Sequence, residues 1–137
     1  PALEADITDL TTRPEVAGTA FSPTAPTERY AARVREVTAT SAPRYVAHHY
    51  TRYLGDLSGG FAIGRLVAGA YDLSPTHGGR FAVFDQIADP AAFKDAYRAA
   101  LDVAPWSPDE RAALIAEVND AYRSNVEVFT SLDHHGA

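Results

Sequence analysis

The chain has no cysteine, no methionine, a single lysine (Lys94) and no apolar run long enough to cross a bilayer. Each absence removes a class of explanation. Without cysteine there is no disulfide framework, no thiolate metal site and no thiol nucleophile, so any redox or metal role must use other groups. No charged start leads into an apolar core and cleavage site, so no secretory leader is expected and the expected address is cytoplasmic, with no membrane partner. A formal net charge of −6 argues against broad contact with nucleic acid, whose phosphates demand a positive surface. With no methionine the chain does not begin at an initiator, and its first residues read as the middle of a helix. A fragment, or a partner chain lying elsewhere, is therefore expected.

What is present is ordinary globular material. Of 137 residues, 46% are hydrophobic and 22% charged, which suits one folded domain over 1–137. Leu3, Ile7 and Leu10 stand at helical spacing in Pro1–Leu10. Residues 11–26 hold three prolines and a glycine and read as a long surface connection. Thr27 is expected to cap a helix to about Val37 on which Tyr30, Val34 and Val37 form the apolar stripe. A long helical pattern then runs from Pro43 to about Tyr71, followed by turn residues at 74–79 and an irregular apolar segment at 81–87. Asp89-Pro90 and Ser107-Pro108 are two helix-start signatures. The first opens a helix to about Val103. The second opens a final helix carrying Leu114, Ile115, Val118, Tyr122, Val126 and Phe129 on one broad face, with the tail from Asp133 expected to fray. The fold class implied is all-α, a compact helical bundle.

The costliest feature of this pattern is its glycine. Gly55, Gly59, Gly60, Gly64 and Gly69 all stand inside the long helical stretch, each costing about 1 kcal/mol relative to alanine in a helix interior. Gly55, Gly59 and Ile63 fall at i, i+4 and i+8, so two positions without side chains share one helical face. A flat ligand could lie against that face, or another helix could cross closely there. Asp56 stands one turn after Arg52, a spacing that also suits an ordinary exposed ion pair.

The string Tyr50-Thr51-Arg52-Tyr53-Leu54-Gly55-Asp56-Leu57-Ser58-Gly59-Gly60 resembles the signature of the haem oxygenases, and the likeness extends more loosely along the whole chain. This resemblance implies a haem oxygenase-type bundle with a glycine-kinked distal helix that lets haem press against the backbone. It implies that haem is both cofactor and substrate. Dioxygen and electrons from an external reductase or ferredoxin would open the ring through an iron-bound hydroperoxide, giving biliverdin, carbon monoxide and ferrous iron. In that family the aspartate matching Asp56 anchors water beside the bound dioxygen, a role that carries over with Gly55 as backbone donor and with Arg52, Tyr53, Tyr30 and Asn125 as the surrounding network. Lys94 and Arg98 match the basic positions that pair with the haem propionates. Tyr50, Gly59, Ile63, Tyr122 and Phe129 match positions lining the haem. Without the resemblance, Lys94 and Arg98 read as a solvated face near Asp95 and Asp102, and the aromatics as core.

The same resemblance implies a neutral histidine on a first helix as iron ligand, and no histidine precedes His48 in this chain. His48 and His49 are expected to pack or hydrogen-bond, His77 lies in a turn, and His134 and His135 in the fraying tail. No metal ligand is therefore assigned within this chain. Either the first helices are supplied from elsewhere, as a preceding segment, a separate chain or a paired assembly, or this is a relative that has lost its ligand. A haem-binding or haem-delivery protein of the same fold is the alternative to an enzyme, and a helical protein for another small molecule is a more distant one.

Overall fold

Each helix needs partners for the amide hydrogens of its first turn, and in the computed structural model several starts fall where the sequence supplies them. The structure describes residues 2–18, 20 and 22–133; His134 and His135, and the rest of the expected frayed tail after Asp133, lie outside them. Helix α1 spans Ala2–Thr11 and α2 Ala25–Thr40. The cap of α2 is Thr24, whose hydroxyl accepts from Thr27 N at 3.4 Å, so the helix begins earlier than the expected Thr27. The physical reason is Pro26, which reads as a barrier but sits in the first turn, where its missing N–H costs nothing. Helix α3 is Ala42–His49, α4 Phe61–Tyr71, α5 Pro90–Asp102 and α6 Pro108–Asp133. Asp89 Oδ1 accepts from Ala91 N and Ala92 N at 2.9 and 3.0 Å, as its place before Pro90 implies. Ser107 and Glu110 cap each other reciprocally at the head of α6, Ser107 N to Glu110 Oε2 at 2.8 Å and Glu110 N to Ser107 Oγ at 3.3 Å.

Between α3 and α4 the chain stays helical but loosens. Tyr50–Leu54 and Asp56–Gly60 are π-helical turns on either side of Gly55. The expected single helix from 43 to 71 is thus under-wound in its middle. Two local causes are visible: the Thr51 hydroxyl back-bonds to Ala47 O at 2.9 Å, which bends a helix, and the glycines leave few side chains to hold an α pitch. Among the described residues no strand forms, only isolated bridges from Ser74 to His77 and Gly78, so the fold is all-α.

The chain divides into two compact units. One joins α1 to Gly55–Arg98. There Asp6, only 3% exposed, accepts from Arg80 N at 3.1 Å, Phe81 N at 2.7 Å and the Arg80 guanidinium at 3.1 Å, while Asp9 takes a second, short bond from the same guanidinium. These carboxylates pin a short 3₁₀ turn, Arg80–Ala82, against α1. Ala82 in turn packs on Gly64, where an added Cβ would collide with its methyl. Phe61 meets Phe84 edge-on at 5.7 Å. The segment at 81–87 is irregular beyond that one turn, as expected.

The other unit joins Ser22–Leu54 to the chain from Ala99. Val37, Ala47, Leu54 and Ala121 are its buried apolar centre, where α2, α3, the first π turn and α6 meet. Thr24 and Ser131 hydroxyls pair at 2.9 Å between the ends of α2 and α6. The buried side of α6 holds Glu117 and Ala121. Ile115, Tyr122, Val126 and Phe129, expected on the broad apolar face, are instead exposed at 62%, 56%, 64% and 60%. Their i, i+7, i+11, i+14 spacing makes a true stripe, but one turned away from the side the small Ala121 allows to pack closely.

Candidate functional site

In the first unit the site is built from backbone. A Cβ placed on Gly55 or Gly59 would meet no described atom within 4 Å, so among the described residues no helix crosses at either glycine. At Gly64 the Ala82 methyl does approach, and Gly60 faces only the Asp56 Cβ at 3.4 Å. Gly69 on α4 is open as well, but only Gly55 and Gly59 stand together, one turn apart, on the under-wound stretch. Asp56 is half-buried on that turn and Ile63 is 52% exposed one turn beyond Gly59. Lys94 reaches from α5 to place Nζ 3.2 Å from Ser58 Oγ, which brings its charge to the edge of the glycine turns. Arg98 pairs with Asp95 at 3.2 Å.

In the second unit three candidates from three elements come together. Arg52, on the first π turn, donates from Nη1 to Asn125 Oδ1 of α6 at 2.9 Å. Asn125 also bonds Tyr30 of α2 and gives its amide hydrogen to Ala121 O at 2.7 Å. Burial pushes the Tyr30 phenol above its ordinary value, opposed by the Asn125 bond and the Arg52 charge. Tyr30 and Arg52 share the wall of a groove of about 500 Å³ with Thr27, Val34, His48 and His49. Tyr53 stacks on His49 with ring centroids 5.1 Å apart, and Tyr50 is half-buried beside it in sequence. Tyr122 and Phe129 stand exposed on α6 and are not packed into a core by the described residues.

Sequence reasoning passed over Glu117. It is 2% exposed, accepts Arg33 Nε at 2.8 Å and Nη2 at 2.6 Å, and lies 3.0 Å from His48 Nε2. Arg44 approaches to 3.8 Å. Burial drives the carboxyl upward, yet the Arg33 and His48 bonds outweigh it and hold the group below the usual carboxylate range. The reciprocal effect raises Arg33 further above its already high value. A signal was present: Glu117 stands four residues before Ala121 and eight before Asn125, a charge on a side otherwise small or amide, but the eye follows the larger apolar stripe.

His48 has both ring nitrogens engaged, Nε2 with Glu117 and Nδ1 with Tyr30 Oη at 3.4 Å. It offers no lone pair to a metal, in line with the packing role expected of it. His77 pairs with Asp9 at 3.3 Å.

Comparison with known proteins places this geometry. A family profile described as "Heme oxygenase" matches residues 1–131. Heme oxygenase of Pyropia yezoensis is 40% identical over 113 residues, covering 82% of this chain and 48% of its own length. Heme oxygenase 1 of a Synechocystis strain is 40% identical over 106 residues, 77% of this chain and 44% of its own. The chain thus spans about half the length of the curated relatives it matches. The solved heme oxygenase of Leptospira interrogans superposes with a TM-score of 0.76 at 33% identity, over 95% of this chain and 64% of that one.

Proposed function

This chain belongs to the heme oxygenase family, and on that premise we propose that its residues form the distal and propionate-facing part of a site that cleaves haem to biliverdin, carbon monoxide and ferrous iron. The observation that carries the reading is the pair of bare positions at Gly55 and Gly59: they sit on under-wound turns where a side chain would meet nothing, a cradle that a Cβ would begin to fill. Haem would be both substrate and source of the redox chemistry that activates dioxygen, with electrons from an external reductase or ferredoxin.

The chain's own residues supply position and protons. Gly55 and Gly59 admit a planar ring to the backbone. The π turns change the backbone pairing register on both sides of Gly55, and the family likeness assigns its N–H as the donor toward the ligand. Asp56 holds ordered water beside the ligand and passes a proton through it. The family likeness assigns the same proton network to Arg52, Asn125 and Tyr30, which come together within the second unit, where Tyr53 stacks on His49. Lys94, and Arg98 one turn on, face the propionates. By the family likeness the iron would be held by a histidine of a first helix that these residues do not include, and His48 is engaged at both ring nitrogens.

Turnover is expected only when the segment carrying the iron-ligating histidine is present, so loading the complete protein with haem tests this. A Soret band should appear, and reduction under dioxygen should replace it with a biliverdin spectrum and release carbon monoxide. Haem absorbance that survives reduction under dioxygen would point to a carrier, and no Soret band would overturn the site.

A further inference from the structure

The polar chain that begins at Arg52 continues past Tyr30 into the buried interior, and the donor inventory of its members leaves it one direction. Arginine has only donors, so the oxygen of Asn125 must face Arg52. The Asn125 nitrogen is then the side that meets Ala121 O and Tyr30. Tyr30 oxygen therefore accepts, and its single hydrogen must go elsewhere; His48 Nδ1, 3.4 Å away, is the acceptor on offer. From the other end, Glu117 is clamped by two nitrogens of Arg33 and is acceptor-only while ionised, so His48 Nε2 must bring it a hydrogen.

The Glu117 end requires Nε2–H, and a bare Nδ1 gives the Tyr30 hydrogen its acceptor, so one tautomer satisfies both ends. The geometry points to His48 as a fixed Nε2–H imidazole whose bare Nδ1 holds the Tyr30 proton, making His48 and Glu117 positioning residues that lock Tyr30 as an acceptor toward Asn125 and Arg52. Resting on the proposed function, this means that Tyr30 does not donate to water or ligand in the site: its proton is spent inward, and the amide of Asn125 and the guanidinium of Arg52 are held in one orientation. The groups facing His48 are Tyr30 from α2 and Glu117 from α6, with Arg33 and Arg44 around the carboxylate. Reversing any one bond breaks the match at both neighbours, which is how a buried polar row specifies a single arrangement.

Long-range ¹H–¹⁵N spectra of uniformly labelled protein at neutral pH read the ring directly, with His48→Gln to assign its signals. The expected result is one His48 tautomer, Nε2 protonated and Nδ1 not. A ring protonated at Nδ1, or at both nitrogens, overturns the inference, and this arm needs no variant to fold. Glu117→Gln, whose amide can donate or accept, should lose the single-tautomer signature, and Glu117→Asp should restore it. A spectrum unchanged in Glu117→Gln also overturns the lock. Haem uptake and turnover without the expected tautomer would sink this inference alone, whereas the tautomer in a protein that takes up no haem would sink the proposed function alone.

Discussion

Lys94 Nζ lies 3.2 Å from Ser58 Oγ, so a single lysine ties α5 to the turn between Gly55 and Gly59. A cation this close to a bare backbone face is placed to meet the acidic edge of a flat ligand, and Arg98 stands one turn farther along the same helix. Arg98 is about half exposed and its pair with Asp95 is an exposed i, i+3 pair, which contributes little to stability. Replacing Lys94 and Arg98 by alanine should leave the unfolding midpoint nearly where it was, with changes of about 0.5 kcal/mol. It should shift the distribution of biliverdin isomers separated by chromatography. An unchanged distribution would remove both residues from the propionate assignment.

The glycines divide by what surrounds them. Alanine at Gly64 would strike the Ala82 methyl and force the 3₁₀ turn away, an overpacking cost of about 1–3 kcal/mol seen in urea unfolding. Alanine at Gly55 or Gly59 meets nothing, so it should hold or raise stability by up to about 1 kcal/mol through helix propensity. Larger side chains at Gly59, such as leucine, should also fold yet weaken haem uptake in a Soret titration. Full haem affinity in Gly59→Leu would show that the ring lies elsewhere.

Much of this was legible in the sequence because it is written locally. Asp89 and Ser107 announce their helices through bonds to residues two or three positions away, and the glycine string marks where the long helix is under-wound. Arg52, Tyr30 and Asn125 were picked out by likeness and do come together, but spacing alone could not have joined residues from three helices. What stayed hidden depends on tertiary packing. Glu117 looks like any surface carboxylate until Arg33 and His48 close on it, and the side of α6 that packs was misread. A hydrophobic stripe says which side dislikes water, whereas small residues such as Ala121 decide which side another helix can approach.

Asp56 carries the sharpest chemical prediction. Asp56→Asn keeps the size and most polar reach of the side chain but removes its capacity to take and pass a proton. Haem should still bind with a normal Soret band, while biliverdin formation should slow by about 10²–10⁴-fold, the usual share of a positioned acid or base. Product at the parent rate would exclude Asp56 from the proton route and shift attention to the Arg52 end of the network.

Glu117 gives the network a signature in acid. Its folded pKa is held below the ordinary 4.5, so its contribution to stability is complete above that value and is lost as the pH falls through the depressed one. Removing the side chain altogether, as in Glu117→Ala, strands Arg33 and His48 and should cost about 3 kcal/mol or more at neutral pH. Glu117→Gln isolates the charge. The gap in urea midpoint between the parent and Glu117→Gln should be widest near pH 7 and narrow as the pH drops below about 4. Other carboxylates with lowered values, such as Asp9 and Glu110, titrate in both proteins and cancel in that difference. A gap that stays constant from neutral to acid pH would mean that Glu117 acts through shape and hydrogen bonding rather than through its charge, and the clamp by Arg33 would then lose its electrostatic explanation.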